Sequence, residues 1–254
     1  MSASAAARAA PVSMAATLVR RGVVRTKAAH RPCPSLIFYP GLTARPWWSM
    51  RDIPNEVSAG IASIVSARDV LLREYDALSA AAPAGDYAVG ENEHTLNKGD
   101  WLWHTAIAKG RPSADFAVTA PHTMAALANM PSLLMGGIPF AYAFFSNLKS
   151  GAEIAPHFGP SNTRLRVHVP LRVPEGGGAT LTVAGETRTW QVGEPLIFDD
   201  SYEHAAQNLR NGEGLGSDRV VLLFDVWHPD LSHDERASVE DMFDGARREG
   251  WLKK

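Results

Sequence analysis

The chain has 254 residues, 45% of them apolar, with 25 Lys and Arg against 27 Asp and Glu and a formal charge of -2. That balance gives no electrostatic reason to expect a nucleic-acid partner, and no apolar run is long enough to span a bilayer. The only cysteine is Cys33, which excludes an internal disulfide framework and a Cys-based zinc site and fits a reducing, intracellular compartment.

Residues 1–34 are rich in Ala, Ser and Arg, and the first acidic residue of the chain is Asp52. This is the composition of a mitochondrial or plastid transit peptide. It is equally that of a disordered tail, in which case the protein is cytoplasmic. Residues 35–254 are then one domain. Within it, Val57, Ile61, Ile64, Val65, Leu71, Leu72, Tyr75 and Leu78 recur at three- and four-residue steps, which predicts a helix over Pro54–Ala80. A turn at Lys98–Asp100 leads into a strand, and a second, shorter helix is expected over Thr123–Leu134, interrupted or ended by Pro131.

From about Phe140 the pattern changes to strands. In "TRLRVHVPLRV", Leu165, Val167, Val169, Leu171 and Val173 face one way, and Arg164, Arg166, His168 and Arg172 the other. "ATLTVAGETRTW" is a hairpin turning at Ala184-Gly185, "GEPLIFDD" a turn and strand, and "RVVLLFDVW" a largely apolar strand. Short strands at this spacing predict a barrel or double-sheet jelly roll over about 140–230, with helices packed before it: an α+β chain dominated by β.

Two of the nine histidines stand out by context. His157 lies in a Pro- and Gly-flanked turn before a strand, and His204 follows a strand end. Singly, each reads as a polar loop residue; together, at the mouth of a small barrel, they suit a metal. The Arg and His face of the 164–172 strand is a wetted surface if it faces solvent. If it lines the barrel, its guanidinium groups require an anion, and a carboxylate matches their paired N–H geometry. Asp199, Asp200 and Glu203 beside His204 read as turn formers, or as groups orienting that histidine.

"FSNLKSGAEIAPHFGPSNTRLRVHVPL", "GEPLIFDDSYEHAAQN" and "RVVLLFDVWHPDLS", with "SLIFYPGLTARPWW" and "NKGDW" before them, resemble the aspartyl/asparaginyl β-hydroxylase family over about residues 36–233. The resemblance implies a double-stranded β-helix (cupin-type jelly roll), Fe(II), 2-oxoglutarate as cosubstrate and O2. By position, His157 and His204 match the iron ligands and catalytic centre. Gly159 matches the place where most enzymes of this chemistry carry an acidic ligand that this family lacks. Ser146, His168 and Arg219 match residues that bind the distal carboxylate of 2-oxoglutarate. Arg166, and more weakly Arg164, match substrate-binding residues. Asp225 and His228 belong to a closing motif read as structural, with Trp227 as a core anchor.

The implied reaction is hydroxylation of an unactivated C–H, at the β-carbon of an Asp- or Asn-like residue in a peptide, protein or small amino-acid-like substrate. Halogenation on the same scaffold and a cupin-like binding protein without turnover are the alternatives. Leu96 and Trp103 stand where animal members carry Arg and Gln to grip the substrate, and the loop "RNGEGLGSD" before Arg219 is a further expected source of specificity.

Overall fold

The computed structural model describes residues 31–86, 96–209 and 218–250. Almost all of the Ala-, Ser- and Arg-rich N-terminal segment, and all but the last residue of the loop before Arg219, lie outside the described residues. Two helices, α1 Asn55–Ser66 and α2 Arg68–Ala81, replace the single one expected over Pro54–Ala80, and Pro54 is the residue before the first turn. The break at Ala67 lets Val57, Ile61 and Ile64 of α1 and Leu71 and Tyr75 of α2 enter the same core. In place of the helix expected over Thr123–Leu134 stand α3 Ala114–Thr119 and α4 Pro121–Ala128. Ser113 caps α3 by accepting from the Phe116 N–H, and Pro121 opens α4, where a missing N–H costs nothing. Helix ends before Pro131, whose ring would clash with the preceding turn.

Twelve strands are described. β1 Trp47–Trp48, β2 Asn97–Lys98, β3 Trp101–Ala108 and β4 Arg111–Pro112 precede the eight that form the core. These are β5 Tyr142–Leu148, β6 Glu153–His157, β7 Arg164–Arg172, β8 Ala179–Val183, β9 Glu186–Thr189, β10 Leu196–Phe198, β11 His204–Asn208 and β12 Arg219–Trp227. One sheet has the order β1-β10-β7-β12-β5-β3-β4 and the other β2-β6-β11-β8-β9, with every pairing of named strands antiparallel. From β5 to β12 the chain passes repeatedly from one sheet to the other, which is the winding of a double-stranded β-helix. The β8–β9 hairpin turns where expected, on Ala184 (φ 51°) and Gly185 (φ 82°), both in the left-handed region that a two-residue turn of this hand requires.

Alternation along β7 and β12 divides the molecule. Leu165, Val167, Val169 and Leu171, with Val220, Leu222, Phe224 and Val226, pack outward against the helices. Arg166 and His168 point between the sheets, where Leu181, Val183, Phe198, Val221 and Leu223 also lie. Arg172 departs from the expected face: the β7–β12 register shifts between Val220 and Val221, and its guanidinium pairs with Asp76 of α2 at 2.8 Å. A closing helix, α5 His233–Arg248, begins at a capping box in which Ser232 and Glu235 bond reciprocally. Its Val239 and Phe243 pack on Trp227, the expected core anchor.

Candidate metal centre and anion pocket

β6 and β11 are neighbours, and their register sets His204 opposite His157. The ring centroids are 4.1 Å apart. His157 Nδ1 lies 2.8 Å from the Ala155 carbonyl and His204 Nδ1 3.0 Å from the Tyr202 carbonyl. A carbonyl only accepts, so each Nδ1 carries the proton and each Nε2 keeps its lone pair. Burial lowers the pKa of both rings, that of His204 to about 3 with His157 adding to the effect. Two neutral imidazoles with fixed tautomers and free Nε2 atoms are a donor set suited to a divalent metal.

Among the described residues no third His, Cys, Asp or Glu completes a metal cluster with them. The reason lies at Gly159, where a Cβ would collide with the Asp200 carboxylate. Asp200 is itself fully buried and bound to Arg164 and Arg166. A metal on the two histidines would therefore be completed by oxygen ligands from outside the protein.

Deeper between the sheets a narrow cavity of about 40 Å³ runs past His157 and His204 to Ser146, His168 and Arg219. Arg219, at the start of β12, is 1% exposed. Its Nη1 donates to Ser146 Oγ at 3.2 Å, and its guanidinium lies over the Trp190 ring at 4.7 Å. Among the described residues no carboxylate pairs with it, its Nε–H finds no acceptor, and burial lowers its pKa to about 9. An isolated cation so buried costs several kcal/mol unless a ligand neutralises it.

His168 and Ser146 are prepared for the same ligand. Trp190 Nε1–H donates to His168 Nδ1 at 3.2 Å, which places the His168 proton on Nε2, and Nε2 has no partner. Burial, with Arg219 and Arg166 nearby, keeps the ring neutral. Trp101 Nε1–H and Arg219 both donate to Ser146 Oγ, which leaves the hydroxyl proton to donate in turn. Three donors thus converge where the described residues supply no acceptor: the pocket fits a carboxylate.

A second cavity, of about 210 Å³, opens on the other side of His157 and shares Trp101 and Arg166 with the first. At its base Arg166 makes a two-pronged pair with Asp225 (2.8 and 3.0 Å), and its Nη1 is 3.3 Å from Asp200. Burial would lower the Arg166 pKa, but Asp225 and Asp200 outweigh it; Asp200 is likewise held far below the usual carboxylate range by Arg164 and Arg166.

All seven residues singled out from the sequence lie around these two cavities, although Arg164 is placed differently from expectation. It is 2% exposed, and its donors go to Asp200, Asp225 and the Phe140 carbonyl, so it braces the two carboxylates. Asp199 is the turn former expected, accepting from the Ser201 N–H. Asp200 lies in the expected turn and Asp225 has the structural role expected, and both also form half of the charged base of the cavity. Trp190 and Trp101 carry no sequence signal for these roles, since no local pattern says that an indole N–H will meet an imidazole or hydroxyl from another strand.

A family model described as Aspartyl/Asparaginyl beta-hydroxylase matches residues 66–229. The mouse and human proteins named aspartyl/asparaginyl beta-hydroxylase are each 33% identical over 201 residues, 78% of this chain and 25% of theirs. The human aspartate beta-hydroxylase domain-containing protein 2 is 29% identical over 210 residues, covering 83% of this chain and 54% of its own. The chain thus spans a quarter to about half of the length of these relatives. Among solved structures, a prolyl-4-hydroxylase from Pseudomonas putida aligns with a TM-score of 0.36 at 15% identity, over 66% of this chain and 87% of that one.

Proposed function

This chain belongs to the aspartyl/asparaginyl β-hydroxylase family, and we propose that it is an Fe(II)- and 2-oxoglutarate-dependent oxygenase that hydroxylates an unactivated C–H bond. The observation that carries the reading is the unanswered Arg219, His168 and Ser146 donor set at the end of a cavity that begins at two metal-ready imidazoles. A dicarboxylic acid with a chelating keto group at one end meets both needs in one molecule.

Bound Fe(II) would couple oxidative decarboxylation of 2-oxoglutarate by O2, which yields succinate and CO2, to insertion of the second oxygen atom into a substrate C–H. The chain's own residues prepare that event. His157 and His204 would hold the metal, and the antiparallel pairing of β6 and β11 sets the two rings opposite one another. Arg219, His168 Nε2–H and Ser146 anchor the far carboxylate of the cosubstrate. Leu181, Phe198 and Leu223 make the passage between the two ends apolar. Hydroxylation is preferred to halogenation on the family likeness, since the hydroxylases of this family also carry glycine at the Gly159 position. The relatives' names carry aspartate and asparagine, and an Asp- or Asn-like residue is the substrate assigned by that likeness alone.

Succinate formation from 2-oxoglutarate by the Fe(II)-loaded protein tests the reading. It is expected to require both iron and O2; succinate formed without either, or none formed under any condition, refutes it.

A further inference from the structure

We propose that the group presented to the metal is an uncharged apolar side chain flanked by an amide carbonyl, not a carboxylate. This rests on the oxygenase reading above and concerns the outer cavity that shares His157 with the metal site.

Among the described residues, the walls of that cavity away from its charged base are largely apolar. Leu96, Trp103, Tyr142, Phe144 and Phe158 all line it. Trp103 is stacked on Phe144 (centroids 3.9 Å apart, 15° between planes) and meets Trp101 edge-on at 4.9 Å, which makes a rigid aromatic wall. The volume, about 210 Å³, exceeds the roughly 150 Å³ of an engineered cavity that accepts benzene. A leucine or phenylalanine side chain fits, and its burial gains about 25 cal/mol for each Å² of apolar surface.

A carboxylate finds no equivalent welcome. The cations lining the cavity among the described residues are Arg164 and Arg166, and the carboxylates of Asp200 and Asp225 match them one for one. An entering anion would lose its water against indole and phenyl faces and face a base of zero net charge. Neutral oxygen is another matter. Arg166 has five N–H groups, and its contacts with Asp225 and Asp200 occupy Nε, Nη2 and Nη1 once each. With 15% of its side chain exposed, it retains donors for a carbonyl oxygen, such as that of a peptide bond beside the reacting side chain. Leu96 and Trp103, at the two positions where the animal pattern has Arg and Gln, are among the residues that make the cavity apolar.

The test uses the full chain loaded with Fe(II) and 2-oxoglutarate, and capped tripeptides that differ only in a central Leu, Phe, Asn or Asp. Affinity is measured without oxygen, then incorporation of one oxygen atom and succinate release in air. The Leu or Phe peptide is expected to bind and react at least tenfold better than the Asp and Asn peptides, and Leu96→Arg with Trp103→Gln to shift the preference at least tenfold toward Asp. An Asp or Asn peptide that matches or exceeds the apolar ones, or an absence of discrimination, overturns the proposal. Failure of the oxygenase reading is distinguishable: it leaves no succinate with any peptide, while the anaerobic affinities are still ranked.

Discussion

His157 and His204 face one another across a single antiparallel strand pair, and each gives its Nδ1 proton to a carbonyl two residues earlier in the chain. The two residues therefore share a tautomer as well as a place. A metal bound at the Nε2 atoms would displace no proton, because both protons already sit on Nδ1.

Arg219 separates ligand binding from folding. Arg219→Met should weaken 2-oxoglutarate binding by about 1.5–3 kcal/mol, on the order of ten- to a hundredfold, through loss of charge-assisted hydrogen bonds. The same change should raise the melting temperature of the ligand-free protein, because it removes a buried cation that no described carboxylate neutralises. Titration calorimetry and thermal unfolding on the same variant check both; lower stability with unchanged affinity would take Arg219 out of the pocket.

Trp190→Phe keeps a ring beneath the Arg219 guanidinium and deletes the N–H that fixes His168. His168 can then place its proton on either nitrogen, and affinity for 2-oxoglutarate should fall by about 1 kcal/mol, roughly fivefold. Nitrogen chemical shifts of His168 read the tautomer directly: one form in the parent protein, a mixture in the variant. An unmixed Nε2–H form in the variant would show that Trp190 does not set it.

Gly159→Asp will not supply a third metal ligand, since its Cβ has no room beside Asp200. The expected result is a destabilised protein with no gain in iron stoichiometry. Asp200→Ala should cost more, about 3–5 kcal/mol in urea unfolding, because it strips a partner from two buried guanidinium groups at once. A loss below 1 kcal/mol would mean that Asp225 alone suffices to neutralise them.

Asp199 predicts a pH dependence. Burial raises its pKa from 3.8 to about 7. Below 3.8 it is protonated folded and unfolded alike, and costs nothing. Between 3.8 and about 7 only the unfolded chain releases the proton, so folding stability falls as pH rises; above 7 the loss is complete and constant. Asn cannot ionise and keeps an oxygen for the Ser201 N–H, so the advantage of Asp199→Asn should grow from pH 4 to 7 and then level off. Unfolding free energies at pH 4, 7 and 8 measure it; an advantage that shrinks over this range contradicts the assignment.

Sequence patterns reached the jelly roll because β7 alternates cleanly, β12 is a largely apolar run, and the Ala184-Gly185 turn has one low-cost geometry. They placed His157 and His204 because both sit at strand ends that the winding brings together. Registers were less legible. The shift that turns Arg172 toward Asp76 depends on β12, far along the chain. Arg164 and Arg166 look alike in sequence, yet only the pairing of Asp225 opposite Arg166 and the fold-back of Asp200 reveal how fully both are neutralised. The start of α5 is legible in the Ser232–Glu235 capping-box spacing.

Anaerobic addition of Fe(II) and then 2-oxoglutarate to the protein tests the central claim most directly, because only a metal-chelated 2-oxo acid gives the weak visible absorption of such a complex. The account predicts a band that needs both components, weakens in Arg219→Met at limiting 2-oxoglutarate, and vanishes when His157 and His204 are both replaced by Ala. A band that survives the double replacement, or no band in the parent protein, would contradict it.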